Sequence, residues 1–321
     1  MTVSRRAARS LVTGGAGFIG SHLAERLIAA GHEVTSLDVR PASAPVPGVR
    51  YVSGSVTDAA LVQGLVAEHD HVFHLAAMLG VKRTMDEPAE MIENNGAGTT
   101  NVLRAALRSG RKVVFASTSE VYGKARPPFR EDHDVLYGPS GKLRWSYAAA
   151  KLLEEFQCLG YARQGLRVTI LRYFNVYGPR QKEGPYGGVV PRFIRAALDG
   201  RDIEVYGSGK QTRAFMYAAD AAEATFRALA AEADGEVINV GTEDEVEINE
   251  LARLVKEAAG SGSRIVHVPH ERVYPHGFEE IPRRLPDTGK MRTLLGFRPR
   301  VDLATGLKAA VEWYRGQEGW R

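Results

Sequence analysis

The first element of the fold can be read from residues 13–20, Thr13-Gly14-Gly15-Ala16-Gly17-Phe18-Ile19-Gly20. The stretch joins a short apolar run at 10–13 to a helical pattern at 21–30. In such a place Gly14 permits a tight turn, Gly17 lets backbone amides approach a pyrophosphate, and Gly20 permits close packing of helix on strand. The helix N-terminus adds unpaired N–H groups and partial positive charge. The sequence therefore predicts a strand–turn–helix unit that binds a dinucleotide.

A carboxylate at the end of the second apolar run indicates which dinucleotide is bound. Asp38 lies in the run 33–39 and follows Gly20 at the spacing of about 20 residues that such units use. Its carboxylate can bind both ribose hydroxyls of NAD and would repel the 2′-phosphate of NADP. We therefore expect NAD, although Arg40 lies close by and leaves room for NADP.

Apolar runs and helical patterns alternate along the first half of the chain. Strand character is found at 10–13, 33–39, 50–53, 71–76, 112–116 and 167–172, and helical patterns at 21–30, 59–68, 89–109 and 146–164. Alternation of this kind predicts a parallel, doubly wound sheet with right-handed crossovers. The expected fold class is α/β, with a Rossmann sheet.

The pattern changes after Tyr177, where glycine and proline become frequent. We expect an NAD-binding Rossmann domain over residues 1–177 and a smaller C-terminal α/β lobe for the substrate over 178–321. Segments near 214–241 are expected to return to the Rossmann sheet.

Composition narrows the classes of partner. The 321 residues carry a net charge of +4 without a basic block, which suits an anionic small molecule and does not predict nucleic acid. The one cysteine, Cys158, permits no internal disulfide, as in a reducing compartment. No stretch approaches the ~20 apolar residues of a membrane span, and no Cys/His spacing predicts a metal. We expect a cytoplasmic protein.

Tyr147 and Lys151 form a Tyr-x-x-x-Lys pair within the helical pattern at 146–164. A spacing of four residues puts both side chains on one face of a helix. A lysine ammonium next to a phenol lowers the pKa of the phenol. The phenolate can then take a hydroxyl proton while a hydride leaves the same carbon for nicotinamide.

Hydroxyl and carboxyl groups follow the fifth predicted strand, in the stretch Ser117-Thr118-Ser119-Glu120. Side chains at the carboxyl ends of parallel strands face the ligand crevice. A hydroxyl there can bond the reacting oxygen, and Glu120 can act as acid or base on a neighbouring carbon. The alternative is that these residues cap a turn.

With these residues in hand, the chain resembles the extended short-chain dehydrogenase/reductase family, specifically its nucleotide-sugar epimerases, dehydratases and decarboxylases. The likeness extends over nearly the whole chain. Its markers are TGGAGFIG (13–20), HLAA (74–77), STSEVYG (117–123), Tyr147 with Lys151, RYFNVYGPR (172–180) and QTRAF (211–215).

The resemblance implies roles for individual residues. Thr118 matches the contact to the 4-hydroxyl of the sugar, Tyr147 the base, and Lys151 a further contact to the nicotinamide ribose. With the residues above, the expected cofactor set is Gly14, Gly17, Phe18, Ile19, Gly20, Asp38, Leu75, Ala76, Ala77, Asn95, Ser117, Tyr147 and Lys151. The expected UDP-sugar set is Thr118, Asn175, Val190, Val205, Tyr206, Arg213 and Arg284. One departure is Ser55, where the family usually has an acidic residue that contacts adenine.

The reaction is less closely defined than the family. Oxidation at C4 is shared by the family, and Thr118-Ser119-Glu120 with Arg284 resembles UDP-glucuronate decarboxylases, which give UDP-xylose or its 4-keto form. A 4-epimerase of UDP-glucose or UDP-glucuronate and an NDP-sugar 4,6-dehydratase stay open, as does Arg284 as a surface or diphosphate arginine. A non-catalytic NAD-sensing protein belongs to another class, and it would be expected to lack Tyr147 or Lys151.

The resemblance also implies a homodimer. Family members usually associate through two helices per subunit, and the candidates here are the helical patterns at 89–109 and 146–164.

Overall fold

The computed structural model describes residues 6–79, 86–182, 188–273 and 279–317. The strands are β1 Arg9–Thr13, β2 Glu33–Asp38, β3 Val49–Ser53, β4 His71–His74, β5 Lys112–Thr118, β6 Val168–Tyr173, β7 Asn175–Tyr177, β8 Ile203–Tyr206, β9 Thr212–Tyr217, β10 Val237–Val240, β11 Glu245–Glu247, β12 Ile265–Val268 and β13 Arg283–Arg284. The α-helices are α1 Phe18–Ala29, α2 Ala59–Glu68, α3 Pro88–Ser109, α4 Ser146–Ala162, α5 Val189–Leu198, α6 Ala218–Arg227, α7 Ile248–Ala258, α8 Gly289–Leu294 and α9 Leu303–Arg315.

A seven-stranded parallel sheet forms the larger lobe, in the order β10-β6-β5-β4-β1-β2-β3. Because helices cover both faces, a central strand such as β6 is buried along its whole length. Neighbouring residues of β1 face opposite sides: Val12 packs into one apolar cluster with α1 and α6, and Leu11 into another with α2 and α3. The expected fold class is confirmed.

A smaller lobe is built on a four-stranded sheet of β11, β9 and β13, with β7 paired to β9. The two-stranded sheet β8–β12 and the helices α5, α7 and α9 surround its own apolar core, which includes Phe193, Leu251 and Leu307. No helix in the described part of the chain combines the length and apolar character needed to cross a bilayer.

Later segments of the chain complete the larger lobe. Strand β10 pairs with β6 at the edge of the seven-stranded sheet, and α6 packs on α1. The segment around α8 also belongs here, because Met291, Leu295 and Phe297 enter the same apolar cluster. By contrast, β9 lies in the small sheet. The two lobes therefore alternate along the chain and meet at the carboxyl ends of the large-sheet strands.

Candidate active site

The glycine turn is held between the ends of β2 and β4. The amide of Gly14 donates to the carbonyl of Leu37 at 2.8 Å, and Gly14 has φ of 72°. A Cβ on Gly14 would lie 2.8 Å from the amide nitrogen of Ala76, and one on Gly20 would overlap the carbonyl oxygen of Gly14. Only glycine fits these two positions, because other side chains would open the turn.

The start of α1 fits the phosphates of a dinucleotide. Gly17 is the N-cap residue and offers no side chain to the first turn. The first N–H groups of the helix, including those of Phe18 and Ile19, have no partner within the helix. This cradle of backbone donors at a positive helix end matches the requirement of a pyrophosphate. The described residues contain no group of three or more His, Cys, Asp or Glu that could hold a metal.

Asp38 lies at the end of β2, where a ribose would be expected. Its Oδ1 accepts from the amide of Arg40 at 3.0 Å, so the carboxylate is oriented by its own turn. Ser55, the departure from the family pattern, bonds its hydroxyl to that of Thr57 at 2.7 Å. The serine stabilises a local turn in place of an acidic contact.

The segment Leu75–Ala77 runs beside the glycine turn. The amide of Leu75 donates to the carbonyl of Thr13 at 3.1 Å, and that of Ala76 to Thr13 Oγ1 at 3.3 Å. Buried Asn95 accepts from the amide of Met78 at 2.7 Å and donates to its carbonyl at 3.1 Å. Asn95 thus braces the end of this segment through its side-chain amide.

Tyr147 and Lys151 lie in the first two turns of α4. Lys151 is buried; its Nζ donates to Glu154 Oε2 at 3.0 Å and lies 4.1 Å from the ring centroid of Phe115. The pKa of Tyr147 is raised by burial, then by the negative charges of Glu154 and Glu120. The protein's own groups therefore do not lower the pKa of this phenol, contrary to the expectation from the Tyr/Lys pair alone, because burial raises it and the charges of Glu154 and Glu120 act in the same direction.

Thr118 begins the short 3₁₀ turn Ser119–Tyr122. Its Oγ1 accepts from the amide of Glu120 at 3.2 Å, so the threonine caps the turn while its hydroxyl hydrogen stays available to donate. Ser119 is buried at the start of that turn. The hydroxyl of buried Ser117 donates to Glu155, which also binds Arg172. Ser117 is therefore engaged with the protein interior.

Two arginines bind the carboxylate of Glu120. Arg144 Nη2 lies 2.7 Å from Oε2, and Arg284 Nη2 lies 2.7 Å from Oε1. Burial would raise the pKa of Glu120, but Arg284 and then Arg144 prevail and lower it to about 2. The Nε atoms of both arginines are buried without a hydrogen-bond partner. The cluster thus carries one positive charge in excess and two unused donors.

The remaining predicted substrate residues lie in or next to the smaller lobe. Arg213 on β9 binds Glu280, and burial followed by the charge of Arg284 lowers its pKa. Asn175 Nδ2 donates to the carbonyl of Ala214 at 3.2 Å. The side chains of Val190 and Val205 are buried in the core of this lobe, whereas Tyr206 stacks under the guanidinium of Arg192, 3.7 Å from the ring centroid.

Three polar residues at the site were not singled out from the sequence. They are Arg144, which precedes Tyr147 by three residues, Glu154 in the helical pattern at 146–164, and His74, which begins the HLAA marker without an assigned role. Glu154 could have been found, because its spacing of three residues from Lys151 puts both on one helix face. The partners of Arg144 and His74 come from distant segments, and no local signal indicates them.

Known proteins match this chain over most of its length. The family model described as "NAD dependent epimerase/dehydratase family" matches residues 10–241. A UDP-N-acetyl-alpha-D-glucosaminuronate decarboxylase of Bacillus cytotoxicus is 55% identical over 96% of this chain and 98% of its own length. UDP-glucuronic acid decarboxylase 1 of Xenopus tropicalis is 36% identical over 96% of this chain and 72% of its length. The crystal structure of a UDP-glucose 4-epimerase from Thermus thermophilus, in complex with NAD, superposes with a TM-score of 0.82 at 34% identity, over 96% of this chain and 99% of that one.

Proposed function

Since the chain belongs to the NAD-dependent epimerase/dehydratase family, we propose that it oxidises a UDP-linked hexuronic acid at C4 and then decarboxylates it. The proposal rests on the cluster of Arg144, Arg284 and Glu120, because two buried arginines share one carboxylate. A buried charge in excess is costly unless a ligand pairs with it. The C6 carboxylate of a uronic acid would supply the missing anion.

Oxidation at C4 needs a base and a hydrogen-bond donor at one oxygen. NAD, when bound, takes up the hydride from C4 and can return it. Tyr147 takes the proton of the 4-hydroxyl, and Lys151 beside it stabilises the phenolate. Thr118 keeps a hydroxyl hydrogen to donate to the same sugar oxygen, since its lone pair caps the turn. These residues convert the C4 alcohol into a ketone.

Decarboxylation follows from the position of that ketone, which is β to the C6 carboxylate. The C5–C6 bond breaks, CO₂ leaves, and the electron pair moves onto the C4 oxygen as an enolate. Thr118 and Tyr147 stabilise this oxyanion by hydrogen bonds. Arg144 and Arg284 hold the carboxylate before it leaves, and a proton from solvent then adds to C5 as the enolate returns to the ketone. With its low pKa, Glu120 stays ionised and fixes both guanidinium groups.

The names of two relatives indicate which sugar should be tested as the substrate. The relative at 55% identity is named for a uronic acid that carries an N-acetylamino group, and the relative at 36% for glucuronic acid. We infer UDP-N-acetylglucosaminuronate as the first substrate to test and UDP-glucuronate as the second. A 4-epimerase is the second candidate, because its solved relative shares the fold over nearly the whole chain.

The decisive experiment incubates the protein with NAD and each UDP-sugar and follows product mass and sugar configuration. A decarboxylase lowers the mass of a uronate by that of CO₂. An unchanged mass with inverted C4, for UDP-glucose or UDP-glucuronate, would refute decarboxylation and support the epimerase. Loss of water would indicate a 4,6-dehydratase, and no conversion of any sugar would favour an NAD-sensing protein.

A variant of Arg284 tests the observation that carries the proposal. Arg284→Gln is expected to lower kcat/KM for the uronate about 100-fold, because a charge-assisted contact to the carboxylate contributes about 3 kcal/mol. Arg283→Gln is the matched control, since Arg283 precedes it on β13 but is exposed and pairs with Glu245. Equal losses in the two variants would contradict the role of Arg284.

We also propose a cytoplasmic homodimer. The exposed faces of the adjacent helices α3 and α4 carry large apolar side chains: Ile92 is 41% exposed, Leu153 55% and Phe156 62%. Such side chains on neighbouring helices are typical of a surface that a second copy covers. The cytoplasmic location is proposed from the single, buried thiol of Cys158.

A further inference from the structure

A buried carboxylate binds the proposed catalytic lysine from the same helix. Glu154 Oε2 accepts from Lys151 Nζ at 3.0 Å and from Thr99 Oγ1 at 2.6 Å. Its other oxygen, Oε1, is buried and has no hydrogen-bond partner. Burying a carboxylate that is only half satisfied destabilises the fold. Glu154 therefore lowers the stability of the fold, while its other oxygen binds Lys151.

Further hydrogen bonds link Thr99 to the segment beside the glycine turn. His74 Nε2 lies 3.1 Å from Thr99 Oγ1, and His74 Nδ1 lies 2.7 Å from Thr13 Oγ1. Thr13 Oγ1 in turn accepts from the amide of Ala76 at 3.3 Å. A continuous chain of hydrogen bonds thus connects the segment Leu75–Ala77, next to the cofactor cradle, with the carboxylate on Lys151.

The donors and acceptors in this chain of hydrogen bonds can be arranged in only one way. Because an ionised Glu154 only accepts, Thr99 must donate to it and must accept from His74 Nε2–H. The Nδ1 atom of His74 then carries no hydrogen and accepts from the hydroxyl of Thr13. Burial and the nearby charge of Lys151 lower the pKa of His74 to about 3, so the ring is neutral, as this arrangement requires.

We propose that Glu154 is a positioning residue that holds Lys151 and offsets its charge, and that His74 and Thr99 tie it to the segment Leu75–Ala77. The proposal rests on the roles assigned above to Tyr147 and Lys151. Its consequence is that Glu154 sets the pH at which Tyr147 can take a proton. A bare lysine ammonium would favour the phenolate more strongly.

Other groups also face Lys151 and Tyr147, and the test has to separate their effects from that of Glu154. They are Glu155 and Cys158 on α4, His74 on β4, the ring of Phe115 on β5, and Glu120 after β5 with its partners Arg144 and Arg284. Glu154 bonds directly to Lys151, whereas Glu120 and Glu155 pair with arginines in the part of the chain that the structure describes. A change confined to Glu154 therefore reports on its own charge.

The first test is the pH profile of sugar oxidation by Glu154→Gln, which keeps the shape and an acceptor oxygen but removes the charge. The acid limb of kcat/KM is expected to move to lower pH by roughly 0.5–1 unit, because the pKa of Tyr147 falls. Thr99→Val keeps the charge of Glu154 and should therefore move the limb much less. The matched control is Thr100→Val, since Thr100 bonds to the carbonyl of Gly96 and to Gln157 rather than to Glu154. The proposal would be overturned if Glu154→Gln left the acid limb unmoved, or if Thr100→Val moved it by the same amount.

The second test needs no activity and is therefore independent of the proposed function. Nitrogen-15 NMR of labelled histidine, assigned with His74→Asn, is expected to show a neutral Nε2–H ring that does not titrate between about pH 5 and pH 9. Thr99→Val should shift the Nε2 resonance, whereas Thr100→Val should not. An Nδ1–H tautomer, or a ring that is indifferent to Thr99→Val, would show that the chain of hydrogen bonds does not exist. If the NMR result holds while no sugar is converted, the proposed function fails and the hydrogen-bond chain stands.

Discussion

Replacing Glu120 by Gln is expected to lower the free energy of unfolding by about 3 kcal/mol at neutral pH. The pKa of this carboxyl is about 2 in the folded protein, against an ordinary 4.5. At ~1.4 kcal/mol per pH unit, that difference corresponds to about 3 kcal/mol. The ion pairs with Arg144 and Arg284 are buried, so solvent screens them little. The two guanidinium groups left behind would add to the loss.

The sign of the pH dependence is fixed by the direction of the shift. Because the folded-state pKa is depressed, the stabilisation is fully present well above pH 4.5 and is lost as the pH falls towards 2. Of the ~3 kcal/mol, about 1.4 kcal/mol is gone by about pH 3.5. His22 and His74, with pKa values lowered to about 4 and about 3, destabilise wild type and variant alike in acid. The difference between the two proteins therefore isolates Glu120.

Urea unfolding at about pH 7, pH 5 and pH 3.5, followed by tryptophan fluorescence, measures this difference. The free energies of unfolding of wild type and Glu120→Gln are expected to become more similar as the pH falls. Glu250→Gln serves as the control: Glu250 also binds an arginine in a bidentate pair, but on an exposed helix face, so no measurable change is expected. A loss below about 1 kcal/mol at pH 7, or one that does not shrink in acid, would refute the account of the cluster.

Three further predictions concern the cofactor, the base and the dimer. Gly20→Ala is expected to weaken NADH binding by fluorescence titration at least 10-fold, because its Cβ would overlap the carbonyl of Gly14, whereas Gly64→Ala, in open space on α2, should leave binding unchanged. Tyr147→Phe should abolish turnover and spare NADH binding; substantial residual activity would exclude the phenol as the base. Phe156→Arg should convert a dimer into a monomer in light scattering, and an unchanged mass would place the interface elsewhere.

The features that follow from local spacing could be predicted from the sequence. The glycine turn, Asp38 and the Tyr147/Lys151 pair are each defined within one strand–turn–helix unit or one helix, so periodicity and residue type suffice. The strand expected at 71–76 ends earlier, at His74: the amide of Leu75 makes the last ladder bond to the carbonyl of Thr13, and the amide of Ala76 bonds the side chain of Thr13 instead. An apolar run does not reveal where its hydrogen bonds change partner.

The features that depend on distant partners could not be predicted. The sequence indicates Arg284 and Glu120 separately, but the parallel pairing of β13 with β9 decides that the two meet. Likewise, the spacing of Lys151 and Glu154 places both on one helix face, but the burial of this pair and the further bond from Thr99 to Glu154 depend on packing against another helix. Charge balance in a buried site is a property of the assembled fold.

The distribution of charge explains how a uronic acid would be oriented between the two lobes. At one end of the site Lys151 is neutralised by Glu154, so the oxidising face carries little net charge. At the other end Arg144 and Arg284 exceed Glu120 by one positive charge. In the proposed UDP-linked substrate, C6 bears the only charge of the hexuronic acid ring itself, so turning C6 towards the arginines would lower its energy and would leave C4 towards Thr118 and Tyr147. Since Arg284 lies on β13 of the smaller lobe and Glu120 follows β5 of the larger one, the ion pair that is proposed to align the sugar also links the two lobes.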